Sequence, residues 1–390
     1  MLTVNITEYA TSTESFPIKK GFQEFKNNPF FKLVLGNREG EYSVESRQFV
    51  GSFFHEGISI NINPKAGNLN FLRMLLEGDD EASIRLSDSL LNEIEHSSIV
   101  EILAMSLANE ILNLKTIGFK NDYVERSDNL RFLRGSINVY ANVIHNHSDQ
   151  TKLFCNFTEY TKDIPVNQAL KWAIETLRLN LNLGFNEMVY SASKVMAEVT
   201  MPGACPIIEE AACLPEYKKA IRLVNWVREF VIVGQGGNNN SGQGLFVDMN
   251  KVFEGFVRDR LRRVCHENHF IIRDKKYFST KLCRGVRLEP DIIISNQADQ
   301  KIAVLDCKYK INWNYKNNDV YQMLAYLESM PQIKNAYILY PSDAYILGDH
   351  IDLPRGRRLH KIGIPQSKYF DDDFWREIFT RLELSGLAVA

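Results

Sequence analysis

Cysteine is scarce in this chain of 390 residues: six are scattered along it, and no two stand in a CxxC pair. That spacing excludes a zinc ribbon and a disulfide framework and suits a reducing compartment. Long hydrophobic runs are missing as well. No uninterrupted apolar stretch approaches the ~20 residues that span a bilayer. The first twenty residues carry Thr, Asn, Glu, Ser and Lys where a signal peptide needs an apolar core. A cytoplasmic protein with no membrane association is therefore expected. The chain also lacks a surplus of either charge, with 46 Lys and Arg against 48 Asp and Glu, so any nucleic-acid-binding face must be sought in the local distribution. Nor is there a Gly-Lys-Ser/Thr phosphate loop, which argues against nucleotide hydrolysis by this chain alone.

What is present is ordinary for a globular protein, 45% hydrophobic and 24% charged, in a length that suggests two or three domains. The first ~90 residues read as β-rich. Alternating runs cover 42–54 and 57–64, and Ile58, Ile60 and Ile62 share one strand face. A turn at 64–67 precedes Phe71, Leu72, Leu75 and Leu76 at helical spacing, and a longer helical stretch covers 87–112. Residues 131–137 read as strand and loop. His145 and His147 follow with no third ligand at recognisable spacing, so that segment reads as a surface loop. A helix begins near Pro165 with Leu170, Ile174, Leu177 and Leu181 on one side, and further helices are expected at 188–199 and 216–233. The strongest break in composition is 234–244, with five Gly and three Asn in eleven residues. It reads as a linker. The expected division is a β-rich, mixed domain over 1–150, a helical region over 151–243 ending in that linker, and a third domain over 244–390.

Chemistry concentrates after the linker. Asp248 can cap a helix running to about Cys265, with Phe253, Phe256, Val257, Leu261 and Val264 on its buried side. Glu254 falls on that same side, either as a helix-edge side chain reaching outward or as a site carboxylate, because an inward carboxylate is costly unless something pairs with it. Two apolar runs, 291–295 and 302–308, separated by the turn Asn296-Gln-Ala-Asp299, read as a hairpin at the centre of a sheet. Asp306 and Lys308 point to one face of the second strand, and the hairpin can bring Asp291 beside Asp306. Two carboxylates held together call for a cation, and oxygen ligands with open water positions suit Mg²⁺. Lys308 is then placed to orient a water or stabilise charge on a phosphate.

Pro290-Asp291, then Asp306-Cys-Lys308, resembles the PD-(D/E)xK nuclease pattern, with apolar strands preceding each acidic group. Downstream, Gln322 and Tyr326 share a helix face at i,i+4, as in the helix that follows the active site in the RecB-like branch of that superfamily. Another buried strand is expected at 336–341. From Lys251 to Arg287 there are eleven Lys and Arg against four Asp and Glu, and Arg355-Gly-Arg-Arg358 with Lys361 adds a second basic stretch. Beside a metal site such segments suit contact with phosphate oxygens, although helix-surface solvation explains part of them.

Most of the chain resembles the McrC family, the endonuclease subunits of McrBC-type, modification-dependent restriction systems. The resemblance is carried by Ile60-Asn-Ile-Asn-Pro64-Lys65, Leu133-Arg-Gly-Ser-Ile137, Asp163-Ile-Pro-Val-Asn167, Asp248-Met-Asn-Lys-Val-Phe-Glu254 and the nuclease signature with Tyr321-Gln322. It implies a mixed α/β chain: a β-rich then helical N-terminal region, followed by a C-terminal PD-(D/E)xK restriction-endonuclease-like α/β/α domain. It further implies that the N-terminal part docks onto a hexameric McrB-like AAA+ GTPase, which binds the GTP, while the C-terminal domain cuts double-stranded DNA containing modified cytosine. In that reading Asp291 and Asp306 ligate Mg²⁺ with the Cys307 backbone carbonyl, and Lys308 positions the water or the scissile phosphate. Glu254 completes the metal shell through a water, and Gln322 and Tyr326 orient the site or contact DNA. The alternatives are a nuclease-inactive adaptor that activates the GTPase, and a free-standing RecB-like nuclease.

Overall fold

The computed structural model describes residues 2–13, 15–17, 28–36, 38, 40–55, 57–67, 70–71, 73–74, 99–180, 186–233, 243–274, 280–283 and 286–382. The chain divides into two units: Met1–His96, Gly234–Gly242 and Phe246–Ala390 form the first, and Ser97–Val233 with Gln243–Leu245 the second. The contacts thus part the chain differently from the expected 1–150, 151–243 and 244–390. Residues 1–96 group with the C-terminal region, and 97–150 group with the helices that follow.

The N-terminal part of unit 1 contributes β1 (Leu2–Thr7), β2 (Phe16–Pro17), β3 (Phe31–Leu35), β4 (Glu41–Ser46), β5 (Phe49–His55) and β6 (Ile58–Asn63). The single run expected at 42–54 is two strands in different sheets, because β4 pairs with β2 and β3 while β5 pairs with β6. Ile58, Ile60 and Ile62 are buried as expected, in one cluster with Val4, Ile6, Phe31, Val44 and Phe53. Phe246, some 180 residues later, lies in the same cluster and stacks on Phe30 with ring centroids 4.3 Å apart. This long-range packing joins the N-terminal strands to the C-terminal region. Of the helix expected after the 64–67 turn, Phe71 and Met74 are buried; Leu72, Leu75, Leu76 and 81–98 lie outside the described residues.

Unit 2 begins with α1 (Ile99–Ile117), a helix buried on most of its circumference because α3 (Pro165–Asn180), α4 (Glu187–Val195) and α5 (Pro215–Phe230) all pack on it. It runs past the expected end at residue 112 and stops at Gly118, whose φ of +107° suits a glycine terminating a helix. Between α1 and α3 stand β7 (Asp122–Leu130), β8 (Ser136–Ile137), α2 (Val139–His145) and β9 (Leu153–Thr161), with the strands ordered β7-β9-β8. The surface loop expected around His145 is therefore partly helical. Asn138 caps α2, and His145 stacks on Phe154 at 5.1 Å. Gly135 of the Leu133–Ile137 motif has φ +70°, and a Cβ there would lie 2.2 Å from the Asn156 carbonyl oxygen. Only glycine satisfies both demands. The Asp163–Asn167 motif is a structural knot. Asn167 donates to the Lys120 and Lys162 carbonyls and accepts from Tyr217, while Asp163 accepts from Arg126, Gln168 and Thr200. β10 (Val231–Val233) ends the unit's main segment.

Residues 234–242 of the Gly/Asn-rich stretch lie outside the described residues, but Gln243 and Gly244 already belong to β11 (Gln243–Asp248), which follows β5 in the sheet order β1-β6-β5-β11. After it come α6 (Met249–Glu267), β12 (Ile271–Asp274), β13 (Thr280–Cys283), β14 (Val286–Leu288), β15 (Ile292–Ser295), β16 (Lys301–Cys307), α7 (Asn317–Ser329), β17 (Asn335–Ser342), β18 (Ile346–Leu353), β19 (Arg357–Pro365) and α8 (Asp372–Arg381). A six-stranded mixed sheet runs β12-β15-β16-β17-β19-β18. β15 and β16 form the expected antiparallel hairpin, and β17 adds to β16 in parallel. On one face Val304, Ala336, Ile338 and Tyr340 pack with Met323, Tyr326 and Leu327 of α7. On the other, Tyr309 meets Phe253 of α6, and Tyr337 donates to the Leu382 carbonyl just past α8. Helices thus cover both faces of the sheet, the α/β/α arrangement expected of the C-terminal region.

Candidate functional site

β16 is an interior strand whose side chains alternate between the α7 face and the α6 face. Val304 and Asp306 point toward α7, and Ala303, Leu305 and Cys307 point the other way. Asp306 is 1% exposed. At that depth desolvation pushes its carboxyl above the usual carboxylate range, the nearby Lys308 opposes the rise, and Asp319 and Glu254 add to it. A sheet centre gains nothing in stability from such a group, so its presence points to chemistry.

Lys308 lies just past the end of β16, where its backbone N–H still bonds to the Leu339 carbonyl at 2.9 Å. Its ammonium is 2.7 Å from Asp306 Oδ2, donates to Gln322 Oε1 at 3.0 Å and lies 3.8 Å from Asp319 Oδ1. Burial alone would lower its pKa; Asp306, Asp319 and Asp291 more than offset that, so the amine stays protonated. Gln322 links both neighbours, because its Nε2 donates to Asp306 Oδ1 at 3.3 Å and to the Tyr326 hydroxyl at 2.7 Å. Tyr326 passes its own proton bond to the Glu289 carbonyl at 3.1 Å, and burial, together with Asp306, Asp291 and Glu289, holds its pKa far above the ordinary phenol value. The i,i+4 spacing of Gln322 and Tyr326 thus brings both onto the site.

Asp291, at the start of β15, accepts the Cys307 backbone N–H at 2.9 Å. This contact sets Asp291 beside the end of β16, as the hairpin register implied. The Cys307 thiol is buried and pushed far up by burial and by Asp291, Asp306 and Glu254. It stays a neutral thiol, and any ligating role is left to the backbone. Glu254, on the first turns of α6, is only 12% exposed in its side chain, lies 3.5 Å from Arg258 and stands within electrostatic reach of both Asp306 and Cys307. Its side chain is thus turned inward toward that end of β16 and does not reach outward from a helix edge. Asp248 caps α6 through the Asn250 N–H.

One residue escaped the sequence reading. Asp319 accepts the Trp313 indole N–H at 2.7 Å through one oxygen and faces Lys308 with the other. The available signal was its position three residues before Gln322, on the same helix face. The basic stretches are also less open than their sequence suggests: Arg355 and Arg357 share Glu328, Lys361 pairs with Asp349, and Arg260 with Asp372.

The profile of the McrBC 5-methylcytosine restriction system component family matches residues 44–341, a span that includes Asp291, Asp306, Lys308, Gln322 and Tyr326. The chain belongs to this family. Its fold is similar to that of a chain in the refined half-complex from the tetradecameric assembly of Thermococcus gammatolerans McrB AAA+ hexamers with bound McrC, at a TM-score of 0.56 and 16% identity, over 97% of this chain and 99% of that one. A chain of the Thermococcus gammatolerans McrBC complex is matched over 68% of this chain and 88% of its own length, at 17% identity and a TM-score of 0.39. No curated protein matches the chain. The first of these likenesses shows a shared mixed α/β fold.

Proposed function

We propose that the chain is the DNA-cleaving subunit of a GTP-dependent, modification-dependent restriction complex, hydrolysing phosphodiester bonds of double-stranded DNA at the Asp306 centre with Mg²⁺. The observation that carries this reading is the convergence of Asp291, Asp306, Lys308, Gln322 and Tyr326 at one end of the central hairpin, with Asp306 buried and its carboxyl raised by desolvation. The donor set fits Mg²⁺. Among the described residues no three His, Cys, Asp or Glu side chains cluster tightly enough to enclose a metal, and Mg²⁺ is ordinarily held by one or two carboxylates while keeping several waters. Asp291, Asp306 and the Cys307 carbonyl would hold it, with Glu254 acting through a water. When bound, the ion polarises a phosphoryl oxygen and lowers the pKa of a coordinated water.

The chain's own side chains supply the rest. Lys308 presents a fixed positive charge where charge builds on the phosphate. Gln322 holds Asp306 and Lys308 in one orientation, with Tyr326 behind it, and Asp319 keeps the ammonium charged. Unit 2 provides surface for a partner. Phe132, Leu133, Val139, Tyr140 and Val143, close together in sequence, are all more than half exposed, and exposed apolar side chains of this kind suit a protein contact. An McrB-like AAA+ GTPase hexamer that binds and hydrolyses the GTP is the partner proposed, its turnover stimulated by docking of this chain. A cytoplasmic location goes with that role, and among the described residues no helix is long and apolar enough to cross a membrane.

The test is cleavage of methylated and unmethylated plasmid by the chain with its GTPase partner, with GTP and Mg²⁺ each present or absent. Cleavage should require all components and a modified substrate. Intact DNA alongside raised GTP turnover would instead favour a nuclease-inactive adaptor, and cutting by the chain alone would favour a free-standing nuclease.

A further inference from the structure

The Ile60–Lys65 motif takes no part in the site described above, yet it surrounds a buried carboxylate. Glu8 directly follows β1 and is 0% exposed. Its backbone N–H donates to the Asn63 carbonyl at 3.0 Å, and its Oε1 accepts from the Lys65 backbone N–H at 2.8 Å and from the Tyr309 hydroxyl at 2.7 Å. Its Oε2 is buried without a hydrogen-bond partner, and so is the hydroxyl of Tyr369. A carboxyl side chain in such a place costs several kcal/mol relative to an apolar one, so stability does not account for it.

What Glu8 reaches across 301 residues is the chain next to Lys308. Tyr309 follows it directly and points to the opposite face, where its ring lies 5.5 Å from Phe253 of α6, the helix that carries Glu254. Tyr309 and Lys308 are consecutive and lie on opposite sides, so holding Tyr309 against α6 constrains the backbone that carries Lys308 toward Gln322 of α7. Past the strand the Lys308 carbonyl accepts from the Lys310 N–H at 2.7 Å, so the chain turns sharply at Tyr309, the residue that Glu8 holds.

We propose that Glu8 is a positioning residue for the cleavage centre: by accepting the Tyr309 hydroxyl it holds residues 306–310 in the path that aims Lys308 at Asp306 and Gln322. The proposal rests on the nuclease reading for its effect on rate. It makes the N-terminal strands a structural part of the cleavage centre. A misplacement of about 1 Å at a reacting group can cost on the order of 10²-fold in rate.

Three variants of the full chain test it in complex with the GTPase partner. Glu8→Gln keeps an acceptor oxygen for Tyr309 and Lys65; Glu8→Leu removes it; Tyr309→Phe removes the donor. The expected result is kcat for plasmid cleavage within about two-fold of wild type for Glu8→Gln and down roughly 10–100-fold for the other two, with KM for DNA unchanged. Hydrogen exchange over residues 306–312 should quicken in Glu8→Leu and Tyr309→Phe but not in Glu8→Gln, while residues 165–180 stay as protected as in wild type. Wild-type kcat in Tyr309→Phe, or a loss in step with the unfolded fraction and no local change in exchange, overturns the positioning role. If wild type itself leaves DNA whole, the nuclease reading fails, and the exchange measurement alone still decides what Glu8 does. Should Glu8→Leu not fold, Tyr309→Phe carries the same comparison.

Discussion

Unit 2 and the C-terminal part of unit 1 each place an aspartate at the centre of a polar cluster, and the two clusters differ in how fully they are satisfied. Asp163 receives hydrogen bonds from Arg126, Gln168 and both the N–H and the hydroxyl of Thr200. Burial would raise its pKa, but those donors outweigh it and hold the carboxyl down at about 2. Asp306 is deeper, has Lys308 and Gln322 as its partners, and is shifted upward by desolvation. Both aspartates stand in motifs that carry the family resemblance. The Asp163 motif ties strand, helix and loop together and leaves its carboxylate fully served by donors; the Asp306 carboxyl is raised by burial, and the proposed cation would relieve it.

Substitution should separate the two roles. The largest effect is expected for Asp306→Asn and Lys308→Ala, each of which should reduce plasmid cleavage by about 10²–10⁴-fold or more. The melting temperature of Asp306→Asn should match or exceed that of wild type, because an amide relieves the burial of a carboxylate. Cleavage by that variant at the normal rate would break the contrast.

Glu8 sits on the Asp306 side of the comparison. Desolvation raises its pKa from 4.5 to about 7, against the opposing Lys65 and Tyr309 contacts. Since the folded value is the higher one, the burial of Glu8 is least costly below pH 4.5, where it is neutral in both states, and the protein loses about 3 kcal/mol of stability as pH rises through about 7. Urea unfolding of Glu8→Gln should show a flatter profile between pH 5 and 8 than wild type. A profile of unchanged slope would remove Glu8 from this class.

Asp163→Asn should lower stability by about 2 kcal/mol, because it weakens charge-assisted bonds. Here the sign is opposite: the folded pKa is depressed, so the contribution is present above the ordinary value of 3.8 and is lost as pH falls through about 2. Thermal melting at pH 7 and pH 2 measures it. The smallest effect is expected for Tyr326→Phe, which removes one link behind Gln322 and should slow cleavage only a few-fold, about 1 kcal/mol in the barrier.

The Asp291–Tyr326 cluster was legible in the sequence because its parts lie within 36 residues, on elements whose periodicity is strong. Ile292 to Ile294 and Ala303 to Leu305 are continuous buried strands, and α7 places Gln322 and Tyr326 on one face. Asp319 was missed because a first-turn acid also serves as a plain helix-end charge. β7 and β9 were missed for a different reason. The Asp122–Leu130 strand has no fully buried position, so it lacks the apolar alternation that announces a strand. The grouping of 1–96 with the C-terminal region could not be read from local pattern at all, since it rests on contacts such as Phe30 with Phe246 and Glu8 with Tyr309.

The most direct measurement compares wild type and Asp306→Asn, each assembled with the GTPase partner on methylated plasmid with GTP and Mg²⁺, following GTP turnover and DNA cleavage in the same reaction. The expected result is equal stimulation of GTP hydrolysis by both chains and cleavage by wild type alone. Cleavage by Asp306→Asn at the wild-type rate would contradict the assignment of this centre.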